Sequence, residues 1–135
     1  MQRNGPVYED AALMKRLLLI EEHALFREGL ALLLKWQLGL ESVKAGSLAE
    51  GHRLLSDPKS MPDLAIISLY LPDGDGSELI EQLRRTEPSV PVLALTADRN
   101  VAKQTQALEA GANQVLVKRA SVEQIIDAVE QLRPN

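Results

Sequence analysis

The stretches "LLLI" (Leu17–Ile20) and "LAII" (Leu64–Ile67) are apolar at every position. A strand wet on one face alternates polar and apolar residues, because successive side chains point to opposite sides. An unbroken apolar run belongs instead to a strand covered on both faces, as in a parallel sheet flanked by helices. The segments between the runs supply those helices. "RLLLI" (Arg16–Ile20) precedes "FREGLALLLKWQL", where Leu30, Leu33 and Leu34 stand at helical spacing beside Phe26. "SVKAG" precedes "SLAEGHRLLSDP", which opens on a serine cap, carries Glu50 three residues on, and stops before Pro58. "LAIIS" precedes "GSELIEQLRRTEP", with Leu79, Ile80 and Leu83 on one face and an end at Glu87–Pro88. "VPVLALT" precedes "NVAKQTQALEAGA", closed by Gly111. "QVLVK" precedes "SVEQIIDAVEQLR", with Ser121 as cap, Glu123 and Asp127 outside, and Val122, Ile125, Ile126, Val129 and Leu132 inside.

This is a strand–helix unit repeated five times. Strands joined through helices pair in parallel with right-handed crossovers. The pattern predicts a single doubly wound α/β domain with one five-stranded parallel sheet; the flavodoxin-like (βα)5 form with strand order 2-1-3-4-5, one of the two common orders of such sheets, is the expected one. The domain is expected over residues 15–133, after an extension at 1–14 in which Met14 is a candidate native start. A chain of 135 residues suffices for one such core. Aromatic residues make up only 3%, so Leu, Ile, Val and Ala must fill that core. The chain has no cysteine, which excludes disulfides, thiolate metal sites and thiol nucleophiles. Its net charge is -4 and it lacks a basic block, so direct nucleic-acid binding is not expected. No membrane span or signal-peptide pattern is visible, which makes a cytoplasmic protein the expectation.

In open sheets of this kind ligands bind beyond the carboxyl ends of the strands, where the strand order reverses. Here those ends are Glu21 and Glu22 on the first strand, Ser68 on the third, Thr96 on the fourth and Lys118 on the fifth. Two carboxylates, two hydroxyls and an ammonium are expected to converge on one crevice.

These residues carry a family resemblance. "RLLLIEEHALFREGLALLL", "PDLAIISLYLPDGDGSELIEQLR" with Pro72 and Gly76, "VPVLALTA" and "EAGANQVLVKRAS" resemble, in that order, the motifs of receiver domains from bacterial two-component response regulators. The similarity covers about residues 15 to 133 and is nearest to the LuxR/FixJ-type branch, which usually carries a C-terminal helix-turn-helix. The resemblance implies an acidic pair, Glu21 and Glu22, that with the backbone carbonyl of Tyr70 would hold Mg²⁺. It implies phosphoryl-binding roles for Thr96 and Lys118, and a switch aromatic at the position of Val115. The phosphoacceptor aspartate of the family falls on Ser68.

A carboxylate attacks phosphohistidine as an anion present at pH 7, whereas a serine hydroxyl is protonated and needs a base. Ser68 is therefore expected to be a small neutral filler where the acceptor was lost; the alternative is a serine acceptor with Glu21 or Glu22 as base. Asp73 and Asp75 are expected to point elsewhere. With the third carboxylate missing, the Mg²⁺ site should be weakened, and Lys118 is expected to reach the glutamates in a metal-free ion pair. Without phosphate Thr96, and without a ring Val115, are expected to act as plain strand residues. His23 reads as a loop residue and His52 as a lone residue on a helix face, while Phe26 and Trp36 read as core or interface. The expected function is a regulatory module acting by protein–protein contact, as a homodimer, with any DNA-binding domain outside this chain. Alternatives are a small-molecule sensor using the crevice, a metal-dependent phosphohydrolase, or a serine hydrolase that would lack the Gly-x-Ser-x-Gly elbow.

Overall fold

The computed structural model describes residues 16–97 and 99–133. The expectations for residues 1–14, including Met14 as a start, lie outside the described residues. Five parallel strands form the sheet: β1 (Arg16–Ile20), β2 (Glu41–Ala45), β3 (Leu64–Ser68), β4 (Val92–Thr96) and β5 (Gln114–Val117). Their order is β2-β1-β3-β4-β5, the expected one of the two common orders. Five helices connect and follow them: α1 (Ala24–Leu38), α2 (Leu48–Leu55), α3 (Ser77–Thr86), α4 (Val101–Ala110) and α5 (Val122–Leu132).

Side-chain alternation along the strands divides the core into two layers. Leu18, Ile20, Ala65, Ile67, Val92 and Ala94 face one side, against α2, α3 and α4. Leu17, Leu19, Leu64, Ile66, Leu93 and Leu95 face the other, against α1 and α5. Both central runs are therefore enclosed, and each fully buried Leu or Ile contributes about 1.5–3 kcal/mol relative to exposure.

Local signals set the helix ends. Ser47 accepts from the Glu50 N–H at 3.1 Å, and the Glu50 carboxylate reaches back to the Gly46 N–H at 2.7 Å. Ser121 and Gln124 form a reciprocal capping box at the start of α5. Val122 follows that cap in the first turn and is 39% exposed, which corrects its expected place in the core; Leu132 is half-buried. Leu30 and Leu34 are buried, Leu33 and Phe26 are half-buried, and Trp36 is 72% exposed, so Trp36 is not a core residue. His52 is not alone on α2: its ring contacts the Gln82 amide oxygen and lies 3.8 Å from the Glu78 carboxylate.

Arg84 closes the opposite end of the sheet. Its guanidinium donates to the carbonyls of Gly111, Pro88 and Val90 and to the Asn113 side chain, whose oxygen also accepts the Val92 N–H. One planar fork thus ties the end of α3 to the turns before β4 and β5.

The loop after β3 folds back as a small hairpin, Tyr70–Leu71 pairing antiparallel with Gly74–Asp75. Gly76 then passes against the backbone of Ser68, where an added Cβ would lie 2.0 Å from the Ser68 carbonyl oxygen. Backbone cannot yield as a flexible side chain can. Gly76→Ala should therefore cost about 2–4 kcal/mol, read as a lower urea midpoint at unchanged m-value.

Candidate functional site

Alternation also decides which strand-end residues meet. Continuing the parity of each strand, Glu21, Ser68 and Lys118 share the side of Leu19, Ile66 and Leu116, whereas Thr96 shares the side of Val92 and Ala94. The register agrees: Ser68 lies opposite Leu95, and Thr96 opposite Val117. The crevice beyond the strands is accordingly lined by Glu21, Glu22, His23, Ser68, Tyr70, Leu95, Ala97 and Lys118. Thr96 is not in that lining, which corrects the expected convergence of both hydroxyls. Its side chain is buried, and among the described residues its hydroxyl has no hydrogen-bond partner.

Glu21 is the centre of the site. It is fully buried, and both carboxylate oxygens are engaged. One accepts from the Ser68 hydroxyl. The other accepts from Lys118 Nζ at 2.6 Å and from the His23 N–H at 2.8 Å. Its own backbone carbonyl accepts from Arg27 at 2.8 Å. Burial alone would raise the Glu21 pKa, but the hydrogen bonds from Lys118, Ser68 and His23, with the charge of Lys118, outweigh it and hold the carboxyl below its ordinary value. Of the two glutamates, Lys118 pairs with Glu21; Glu22 lies exposed at the rim. Lys118 also sits 5.0 Å from the centre of the Phe26 ring, a cation–π distance that occupies its other flank.

His23 was not legible as a site residue. It stands at the N-cap of α1 but makes no side-chain cap bond there. Its ring Nδ1 instead lies 3.1 Å from Glu21 and in contact with Lys118 Nζ. The available signal was position alone: two residues past Glu21, at the strand-to-helix turn.

The remaining expected residues hold structure. Asp73 accepts from the N–H groups of Leu48 and Ala49, capping α2 from outside. Asp75 accepts from the Ser77 N–H at 2.8 Å and from Lys103 at 2.6 Å, and Lys103 lies 5.0 Å from the centre of the Tyr70 ring. Neither aspartate reaches Ser68 in these bonds. Val115 is half-buried and packs on the layer beneath α4.

A divalent cation fits this donor set poorly. Both Glu21 oxygens already accept hydrogen bonds, and the third strand end offers a hydroxyl where a third carboxylate would stand. Among the described residues, no group of three or more His, Cys, Asp and Glu could hold a metal ion. The crevice measures about 30 Å³. That is room for a water or two, against the roughly 300–1,000 Å³ of small-molecule pockets.

The family model of the response regulator receiver domain matches residues 17–130. The chain belongs to the receiver family. It is 33% identical over 119 residues to the virulence transcriptional regulatory protein PhoP of Salmonella typhimurium (strain LT2), covering 88% of this chain and 52% of that protein. It is 32% identical over 117 residues to the transcriptional regulatory protein PhoP of Escherichia coli K12, covering 87% and 51%. The receiver thus spans about half the length of these curated relatives. Among solved structures, a CheY-like receiver from Methanospirillum hungatei superposes with a TM-score of 0.80 at 22% identity, covering 88% of this chain and 94% of that one, and shows the shared fold. A LuxR-family response regulator from Aurantimonas superposes at 0.76 with 27% identity, covering 87% and 83%. A response regulator from Burkholderia pseudomallei, solved with a phosphorylated aspartic acid, superposes at 0.74 with 27% identity, covering 87% and 71%.

Removing one partner of a buried ion pair strands the other charge. Lys118→Met should therefore destabilise this receiver by about 2–4 kcal/mol at pH 7, and adding Glu21→Gln should recover part of the loss. The sign with pH follows from Glu21. Its folded pKa lies below the ordinary 4.5, so its stabilisation is present above that value and disappears as pH falls through the folded pKa. Urea melts along a pH series should show Glu21→Gln with a shallower acid limb than the parent.

Proposed function

We propose that this chain is an atypical receiver that works in signal transduction and transcription regulation by protein–protein contact, independently of aspartyl phosphorylation. One observation carries the reading. At the acceptor position stands Ser68, its hydroxyl donated to a Glu21 carboxylate that Lys118 already neutralises. The lysine that resemblance assigns to phosphoryl oxygens is thereby committed within the protein. A magnesium ion would have to displace it. The fold is kept without the reaction, and what remains for it to do is present a surface.

The same geometry argues against the serine acceptor. Glu21 is the base within reach of Ser68, and a carboxyl held below its ordinary pKa is a weak general base. No imidazole is bonded to the Ser68 hydroxyl, which argues against a serine hydrolase, and the size of the crevice argues against a small-molecule sensor. The transcriptional relatives and the LuxR-family structural neighbour favour a module that precedes a DNA-binding domain in a cytoplasmic regulator. Contact with nucleic acid would then belong to that other domain.

Incubation with acetyl phosphate and Mg²⁺, followed by intact mass, tests the reading. The parent chain should gain no phosphoryl group. Ser68→Asp should gain one that is labile in alkali, because it restores the carboxylate beside Glu21, Glu22 and Lys118. A stoichiometric phosphoryl group on the parent chain that disappears in Ser68→Ala would sink the proposal.

A further inference from the structure

Helix α1 has an apolar row that the described residues leave uncovered. Leu25, Gly29, Leu32 and Trp36 follow one another at spacings of four, three and four residues. Leu25, Leu32 and Trp36 are 90%, 48% and 72% exposed, and a Cβ added at Gly29 would meet nothing within 4 Å. This row is separate from the buried face of the helix, which is formed by Leu30, Ala31 and Leu34. Alternating spacings of three and four are those of the seam between two paired helices. Glu28 and Lys35 flank the row on one side, and with Leu32 they line a shallow groove of about 400 Å³ between α1 and β2.

We propose that a second copy of this chain docks here, α1 against α1, antiparallel about a two-fold axis. The flanking charges select both the occupant and its direction. In an antiparallel pair each flanking position of the seam meets its own kind on the other helix. Glu28 then faces Lys35 of the second copy, and the axis repeats the pair in reverse. In a parallel pair Glu28 would face Leu33, and Lys35 would face a position beyond the end of the helix at Leu38, so neither charge would find its opposite. The apolar row follows the same rule. Antiparallel docking sets Leu25 against Trp36 and Gly29 against Leu32, so a large side chain fills the gap at the glycine. Parallel docking would leave glycine opposite glycine.

The surrounding ion pairs extend across the axis. Lys44 donates to Glu28 at 2.6 Å, and Lys35 lies 3.5 Å from Glu41. Docking joins them into an alternating row of Lys44, Glu28, then Lys35 and Glu41 of the second copy. These pairs are exposed and cost little to rearrange. One helix pair is a small interface, so the dimer is reversible and depends on concentration.

The inference deepens the reading of this chain as a contact module and rests on it. The two fail separately: intact mass reports on the acceptor, and sedimentation reports on this face. Sedimentation velocity on the full chain over a concentration series should show the average mass rising from monomer toward dimer. Leu32→Glu should leave a monomer throughout, with an unchanged far-UV spectrum and melting midpoint, because the side chain points away from the core. Glu28→Lys and Lys35→Glu should each weaken the dimer about tenfold or more, and the two together should restore it. A parent chain that stays monomeric overturns the proposal. So does a dimer that survives Leu32→Glu, which would place the contact on another face such as β5, or a double exchange that fails to recover association.

Discussion

A carboxylate taken wholly out of water costs several kcal/mol unless charge and hydrogen bonds replace the solvent. Glu21 is such a group, and the switch-point end of this receiver is organised around replacing its water. Lys118 comes from the far edge of the sheet, His23 from the turn into α1 and Ser68 from the central strand. A single anion thereby joins three of the five strands where a phosphoryl group and a metal are handled in the family the chain resembles. The charge balance is internal. Lysine supplies the positive charge that a cation would bring, and serine removes the negative charge that an aspartate would add.

Most of the architecture was legible in the sequence because two periods were clean. Unbroken apolar runs fixed β1 and β3 to the residue, and helical spacing bounded by Ser47, Ser121 and Gly111 fixed α2, α4 and α5 to within a residue or two. The site was legible as a set of strand ends, and charge pointed Lys118 to the two glutamates, of which the structure pairs it with Glu21. The misplaced residues have a common physical origin. Thr96 was placed in the crevice by its position along β4, but which side it faces depends on register against its neighbours, and register is a property of the pairing. His52 reads as isolated because its Gln82 partner is 30 residues away, and His23 reads as a loop residue because Lys118, which joins it to Glu21 in the site, is 95 residues away. Val122 matched the buried period of α5, yet the first turn of a helix projects past the layer it packs on.

The two edges of the domain are managed differently. At the β5 edge the strand is half-buried and its approach is fixed by the Arg84 fork, which fastens the turn before it through backbone carbonyls. At the β2 edge α1 packs the sheet with one face and keeps a second apolar face outside. A helix of 15 residues that is apolar on two sides loses solubility without gaining stability from the outer side. Such a surface has a physical rationale once something covers it.

The loop from Pro72 to Gly76 keeps its shape through contacts that involve no phosphate. Gly76 is wedged against the Ser68 carbonyl, Asp73 caps a neighbouring helix, and Asp75 is tied to Ser77 and Lys103. Form and reaction are held here by different atoms, so the reaction can lapse while the form persists. Under the proposed phosphorylation-independent reading, a protein that recognises this end of the domain would meet the same face at every moment, and information would pass through the abundance of the chain where it would otherwise pass through modification.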